Sequence, residues 1–267
     1  MRRDVEYGRA GGERLLLDAS VPEGAGPFPI AILVHGGGWT GGDKAGSNKP
    51  GDGADISPWF TPLTAAKIAW LSVNYRLAPQ HPWPACLEDV QTAVRWARAH
   101  AAEFKGDPRR IVLFGHSAGG QLGCLAAELA ATDDARVQAV VGFAPVTDFE
   151  QDLAARGGLS PSLQNLHHRP KEVTPEALAI LRETSPINHV HPGLPPFLLL
   201  HGDADRTVPI EQSRNFQAKL AASGVPCELL VIPGAPHGLM TWEKFDPDYA
   251  AKMTAWLRRT LGGAAAR

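Results

Sequence analysis

One serine stands where a nucleophile would be made. Gly115-His116-Ser117-Ala118-Gly119 directly follows an apolar run at 110–114 and opens a stretch of small residues. A serine on such a strand-to-helix turn is lifted clear of the backbone, and its neighbours must be small for the two elements to approach. The helix N-terminus below it favours developing negative charge. The five-residue string alone is common, but between a strand and a helix it points to nucleophilic attack on a carbonyl.

Attack on a carbonyl produces an oxyanion, which preorganised N–H groups stabilise. His35-Gly36-Gly37-Gly38-Trp39 follows the apolar run 30–34 and suits that task, because glycines leave their N–H groups uncovered. The expected donors are the backbone N–H groups of Gly37, Gly38 and Ala118. A merely flexible turn seldom needs three successive glycines after a buried strand.

The acid and base should follow the serine in chain order. His201-Gly202-Asp203-Ala204-Asp205 ends one apolar run, and Pro236-His237-Gly238 follows the next. His237 is the candidate general base. Asp205 is the preferred orienting acid over Asp203, which sits in the turn where an aspartate commonly bonds local N–H groups. Trp39 and His116 are the candidate substrate contacts. The plainer readings are a core tryptophan and a structural neighbour of the nucleophile.

The remaining metal-ligating types read as bland. His167, His168, His189 and His191 have no carboxylate or cysteine at convincing spacing, so solvated loop histidines are expected there. Cys86, Cys124 and Cys227 are far apart and form no Cys-x-x-Cys, which suits small buried side chains. No cofactor and no metal are expected.

These residues need a scaffold that brings distant loops together. Short apolar runs at 30–34, 69–75, 110–114, 137–143, 196–200 and 227–232 read as strands. Helical spacing covers 85–104, 117–131 and 210–222, and a last helix presents Tyr249, Met253, Trp256 and Leu257 on one face. That alternation predicts an α/β class with a mostly parallel sheet covered on both faces, plus an antiparallel edge strand near 15–21. Residues 42–58 read as a long polar loop. Residues 148–195, with proline at 161, 170, 175, 186, 192 and 195, are too long for a plain connection and read as a cap over the site. A short helix at 174–183, started by a Thr cap and Pro175, fits within it.

The 267 residues fit one domain, 1–267, with the cap inserted at about 148–195. Hydrophobic residues make up 44% and charged residues 20%, ordinary for a globular chain. With 26 basic and 28 acidic residues the net charge is −2, which offers no electrostatic basis for a nucleic-acid or membrane partner. No run is long enough to span a bilayer and no signal-like start is present, so a cytoplasmic location is expected.

Taken together, these residues resemble the bacterial esterases of the α/β-hydrolase superfamily over nearly the whole chain. Asn74-Tyr75-Arg76-Leu77-Ala78-Pro79 and Ser117-Ala118-Gly119-Gly120 are similar to segments of the hormone-sensitive-lipase-like esterases. The stretch 195–213, with His201-Gly202-Asp203-Ala204-Asp205, resembles small feruloyl and acetyl-xylan esterases. The resemblance implies an α/β-hydrolase fold and a serine carboxylesterase acting on short or aromatic acyl esters. Its partner would be a small-molecule ester, an acylated saccharide among the candidates. The 46–58 stretch departs from that group as an insertion beside the glycine loop. Two alternatives stand beside this reading. A small amidase like the kynurenine formamidases shares the His-Gly-Gly-x-Trp loop, and a catalytically idle hydrolase fold would serve binding alone. Complete retention of nucleophile, acid, base and glycines argues against the latter.

Overall fold

The computed structural model describes residues 1–47, 53–151 and 153–262. Eight strands pair into one sheet, most of them runs of β-branched, leucine and aromatic residues. They are β1 (Arg2–Ala10), β2 (Glu13–Ser20), β3 (Phe28–Val34), β4 (Ala69–Val73), β5 (Gly106–His116), β6 (Ala139–Phe143), β7 (Phe197–Gly202) and β8 (Cys227–Ile232). Their order across the sheet is β1-β2-β4-β3-β5-β6-β7-β8. β2 runs antiparallel to both β1 and β4, and all pairs from β4 through β8 are parallel.

The parallel strands carry apolar residues on both faces because both faces are covered. Along β3, Ile30, Ile32 and Val34 enter one core while Ala31 and Leu33 enter the other. β5 divides in the same way, with Ile111 and Leu113 opposite Val112 and Phe114. The first core is closed by α2 (Ala85–Ala99) and α3 (Ala118–Glu128). The second is closed by α1 (Phe60–Ala65), through Leu63, and by the last helix, through Met253, Trp256 and Leu257. The chain leaves β3 for β4 on one side and then crosses to β5 on the other. The loops after β3 and β5 therefore diverge at the point where an open parallel sheet leaves a crevice for a ligand.

Between β6 and β7 the chain makes three short helices, α4 (Leu153–Arg156), α5 (Pro161–His167) and α6 (Pro175–Thr184). The last corresponds to the helix expected at 174–183. Thr174 Oγ1 caps it by accepting the Ala177 N–H at 3.2 Å, and Ser160 Oγ caps α5 through the Leu163 N–H at 3.3 Å. The chain then continues through α7 (Glu211–Ala222), β8 and α8 (Tyr249–Gly262).

Several boundaries differ from the sequence reading. The helix expected over 85–104 stops at Ala99, and Ala101–Phe104 tightens into a 3-10 turn that ends on Lys105 at φ 48°. The small-residue helix is Ala118–Glu128 rather than 117–131, since Ser117 has a non-helical backbone. The long loop at 42–58 falls partly outside the described residues, and its end forms a 3-10 turn at Ser57–Trp59. Among the described residues no helix is long and apolar enough to cross a membrane.

The largest correction concerns His167. It is not a solvated loop histidine but is 9% exposed. Its ring lies 6.3 Å from Trp83 and 6.2 Å from Phe149, and neither nitrogen has a hydrogen-bond partner among the described residues. His168, His189 and His191 do stay near the surface, donating to the carbonyls of Pro79, Glu183 and Glu128. Burial, assisted by the charge of Arg169, pushes the His167 imidazole down to about 4 from its ordinary 6.5. The unfolded chain therefore binds a proton here at a higher pH than the folded one. Stability is fully present above pH 6.5 and is lost as pH falls toward 4, by roughly 3 kcal/mol if the whole shift is realised. His116 adds a loss of the same sign, its own ring being pushed down to about 3 by burial and by His237. We expect His167→Leu to shrink the stability lost between pH 7 and pH 4.5 by roughly 2 kcal/mol in urea unfolding, leaving the His116 share. Equal losses in the two proteins would show that His167 is not buried in its neutral form.

Candidate active site

The loops after β3, β5, β7 and β8 supply every candidate catalytic residue. Ser117 follows β5 with φ 55° and ψ −117°, a strained conformation for a residue other than glycine. Its N–H donates to the Phe143 carbonyl at 2.9 Å, and its own carbonyl accepts the Gln121 N–H at 3.0 Å. The turn is possible because Gly119 carries no side chain. A Cβ there would collide with the carbonyl oxygens of Val34 and His35, so α3 can press its first turn against the end of β3. The same contact sets Ser117 beside the glycine loop.

That loop is held from below. His35 stacks on Tyr75 with ring centroids 4.4 Å apart, and the Tyr75 hydroxyl donates to the His35 carbonyl at 3.1 Å. Gly37 has φ 104°, and a Cβ on it would strike the Gly41 carbonyl. Among the described residues the N–H groups of Gly37, Gly38 and Ala118 have no acceptor. Three preorganised donors are thus left for a ligand or solvent.

Trp39, with φ 59°, donates from Nε1 to Gln121 Oε1 at 2.9 Å. Gln121 in turn donates from Nε2 to the Thr184 carbonyl at the end of α6, also at 2.9 Å. One amide therefore ties the glycine loop, α3 and the segment after β6 together. Sequence reasoning passed over Gln121, although its position four residues after Ser117 on a small-residue helix was a usable signal.

The carboxylate–imidazole pair is direct. Asp205 Oδ2 accepts from His237 Nδ1 at 2.6 Å, while Oδ1 accepts the N–H groups of Thr207 and Val208 at 2.8 and 2.9 Å. His201 is a further partner of the carboxylate. Its Nε2 lies 3.4 Å from Asp205 Oδ2 and donates to the Val208 carbonyl, and its Nδ1 accepts from Ser213 Oγ. Burial alone would raise the Asp205 carboxyl. The bonds from His201 and His237, the charge of His237 and the Val208 N–H outweigh it and hold the group well below the usual carboxylate range. Asp203 is used elsewhere, its Oδ1 accepting the Gly234 N–H at 2.5 Å. With Nδ1–H committed to Asp205, the His237 Nε2 is left as the unprotonated nitrogen.

Ser117, Gly37, Gly38, Trp39 and His237 line one cavity of about 470 Å³. Its far wall comes from the segment after β6, through Phe149, Leu153, Ser162 and Leu163, and Gly53 and Ala54 of the 46–58 stretch complete it. Phe149 meets Trp39 edge-on at 5.4 Å between centroids. The Ser117 hydroxyl has no hydrogen-bond partner among the described residues, a looseness common where the productive contact forms with substrate.

His116 is placed differently from a substrate contact. It is wholly buried and does not line the cavity. Its Nε2 donates to the main-chain carbonyl of His237 at 3.0 Å, and the two rings lie 4.7 Å apart. Burial and the neighbouring His237 push its imidazole down to about 3, so it stays neutral beside that ring. Its role is to hold the His237 loop. Among the described residues no three His, Cys, Asp or Glu side chains gather as a metal site would.

The family model BD-FAE matches residues 17–220 of the chain. Esterase LipC of Mycobacterium tuberculosis is 37% identical over 227 residues, covering 79% of this chain and 53% of its own length. Probable carboxylic ester hydrolase LipM of the same organism is 34% identical over 251 residues, covering 87% of this chain and 54% of its own length. The chain thus spans about half the length of these relatives. Among solved structures, a truncated carbohydrate esterase from gut microbiota superimposes with a TM-score of 0.79 at 26% identity, over 97% of this chain and 95% of that one. The butyrate-bound Est2 esterase of Thermogutta terrifontis superimposes with a TM-score of 0.72 at 28% identity, over 96% of this chain and 91% of that one. With its match over residues 17–220 and its eight-stranded sheet, the chain belongs to the BD-FAE family and has the α/β-hydrolase fold.

Proposed function

We propose that this chain is a serine carboxylesterase that hydrolyses short or aromatic acyl esters through an acyl-enzyme. The observation that carries the reading is the Asp205–His237 bond of 2.6 Å on the wall of the cavity that also holds Ser117 and the uncovered glycine N–H groups. The names of the relatives and the superimposed esterases support it.

In this reading His237 Nε2 removes the Ser117 proton as Oγ attacks the ester carbonyl carbon. The oxyanion is stabilised by the N–H groups of Gly37, Gly38 and Ala118, and collapse expels the alcohol with the proton carried by His237. Water then attacks the acyl-enzyme by the same route in reverse. Asp205 remains ionised throughout, fixing the imidazole tautomer and stabilising the imidazolium. Asp148–Pro195 acts as a cap inserted in one catalytic domain, since its Phe149, Leu153 and Leu163 close the cavity opposite the nucleophile.

Substrate size follows from the walls. The cavity has a volume of about 470 Å³, and Trp39 and Phe149, which meet edge-on at 5.4 Å, both line it. An acetyl, butyryl or cinnamoyl-type acyl group fits this apolar space, and the polar Ser160 and Thr207 offer contacts to the alcohol portion, an acylated saccharide among the candidates. That Est2 was solved with propionate and with butyrate bound supports the short-acyl reading.

Ser117→Ala is expected to lower kcat for p-nitrophenyl butyrate on the order of 10⁴-fold or more without changing the thermal midpoint. Turnover near wild type in a clean preparation would remove Ser117 from the mechanism. Asp205→Asn should cost about 10⁴ in kcat while Asp203→Asn stays near wild type, because only Asp205 contacts the base. The reverse order in steady-state kinetics would move the acid to Asp203.

Acyl-chain profiling tests the cavity. kcat/KM should be highest for p-nitrophenyl acetate to butyrate and fall for octanoate and palmitate, with methyl ferulate accepted. A deep apolar channel would instead gain up to about 0.8 kcal/mol per added methylene. A steady rise through octanoate to palmitate would contradict the short-cavity reading.

A further inference from the structure

Gly38 is tied to a residue on the other side of the cavity. Its φ of 59° is one reason for glycine, and a second is space. A Cβ at Gly38 would stand 2.7 Å from Ser162 Oγ and 3.3 Å from Ser162 Cβ. Ser162 belongs to α5 in the segment after β6, more than a hundred residues along the chain from the glycine loop. The missing side chain of Gly38 thus lets the Ser162 hydroxyl approach the loop that lines the same cavity and whose N–H groups have no acceptor among the described residues.

Ser162 also differs from the other hydroxyls of that segment. Ser160 Oγ accepts the Leu163 N–H, Thr184 Oγ1 donates to the Ile180 carbonyl at 2.9 Å, and Ser185 Oγ donates to the Leu181 carbonyl at 2.7 Å. Each is used within its own helix or at its end. Ser162 stands in the first turn of α5, where no helical carbonyl lies four residues before it. Its hydroxyl has no partner among the described residues, and it lines the same cavity as Ser117, Gly37 and Gly38.

We propose that Ser162 is a further catalytic residue whose O–H donates a hydrogen bond to the oxyanion, beside the N–H groups of Gly37, Gly38 and Ala118. This rests on the ester-hydrolysis reading above. No proton leaves the hydroxyl. The bond strengthens as the carbonyl oxygen gains charge, so its effect falls on the transition state more than on bound substrate. Because the donor comes from the cap, a full set of four donors exists only while α5 lies against the glycine loop.

The test separates kcat from KM for p-nitrophenyl butyrate in wild type, Ser162→Ala and Ser162→Thr, and measures the affinity of each for butylboronic acid, which takes tetrahedral geometry on a serine. Removing one oxyanion donor can cost about 10²–10³ in kcat. For a hydroxyl that supplements three backbone donors, Ser162→Ala is expected to lower kcat by roughly 10- to 100-fold, with KM within about threefold and boronate affinity reduced by a similar factor. Ser162→Thr, which keeps the O–H, should recover most of both. Should the alanine variant fail to fold, Ser162→Cys gives the same reading, as the thiol is a much weaker donor. An unchanged kcat overturns the proposal, as does a loss confined to KM or a kcat loss without loss of boronate affinity. If wild type does not hydrolyse the ester, or Ser117→Ala retains turnover, the esterase reading fails and the Ser162 proposal falls with it. If wild type is active and Ser117→Ala is dead while Ser162→Ala matches wild type, the Ser162 proposal alone is wrong.

Discussion

The site depends on one close backbone contact, the first turn of α3 pressed against the end of β3. Gly119 meets the carbonyls of Val34 and His35 so closely that no side chain can stand between them, and Gly115 meets the Gly119 carbonyl in the same way. This contact forces Ser117 into its positive-φ conformation and sets it beside the loop that begins at His35. The strain of order 1–3 kcal/mol that such a backbone carries is sustained by the two apolar cores on either side of the sheet. The placement of Ser117 beside the glycine-loop N–H groups is therefore a property of backbone packing.

Polar side chains then extend that frame outward. Tyr75 supports the His35–Gly36 turn from below, and Gln121 links Trp39 to the last turn of α6. A fully paired buried network of this kind rigidifies the parts that it joins. Arg76, just after Tyr75, is itself fixed by the buried Asp89 of α2, whose carboxylate accepts its main-chain N–H at 2.8 Å and its guanidinium at 2.8 to 3.0 Å. The loop after β4 thus serves as a footing for the glycine loop, since Ala78 also donates to the Trp39 carbonyl.

The Asp205–His237 pair is assembled on the other half of the sheet by the same logic. Asp205 receives two backbone N–H groups, His237 and the nearby His201, and its charge is maintained despite burial. His116 connects the two halves. It ends β5 next to Ser117 and holds the His237 carbonyl, and burial keeps its own ring neutral there.

Much of this was legible in the chain because it is local. The glycines at 36–38 and 115–119, the apolar runs before them, and the order Ser117, Asp205, His237 are short-range patterns, and backbone sterics tie each to a turn of known shape. The alternation of strands and helices announced the parallel sheet for the same reason. What the sequence left undecided depends on pairing between distant segments. β1 is mostly polar, and only its pairing with β2 makes it a strand, with the Tyr7 hydroxyl anchored on the Asn74 carbonyl at 2.6 Å. His167 looked solvated because its neighbours in sequence are polar, yet Trp83 and Phe149 enclose it. His116 and His201 carry no local sign of which carbonyl or carboxylate they meet. Ser162 is an ordinary helix serine until the fold brings Gly38 across the cavity to it. The sequence by itself determined the turns and the chemistry of the side chains on them. Only the tertiary structure decided burial, protonation state and cross-cavity partners, because these depend on solvent exclusion and contact between residues far apart in the chain.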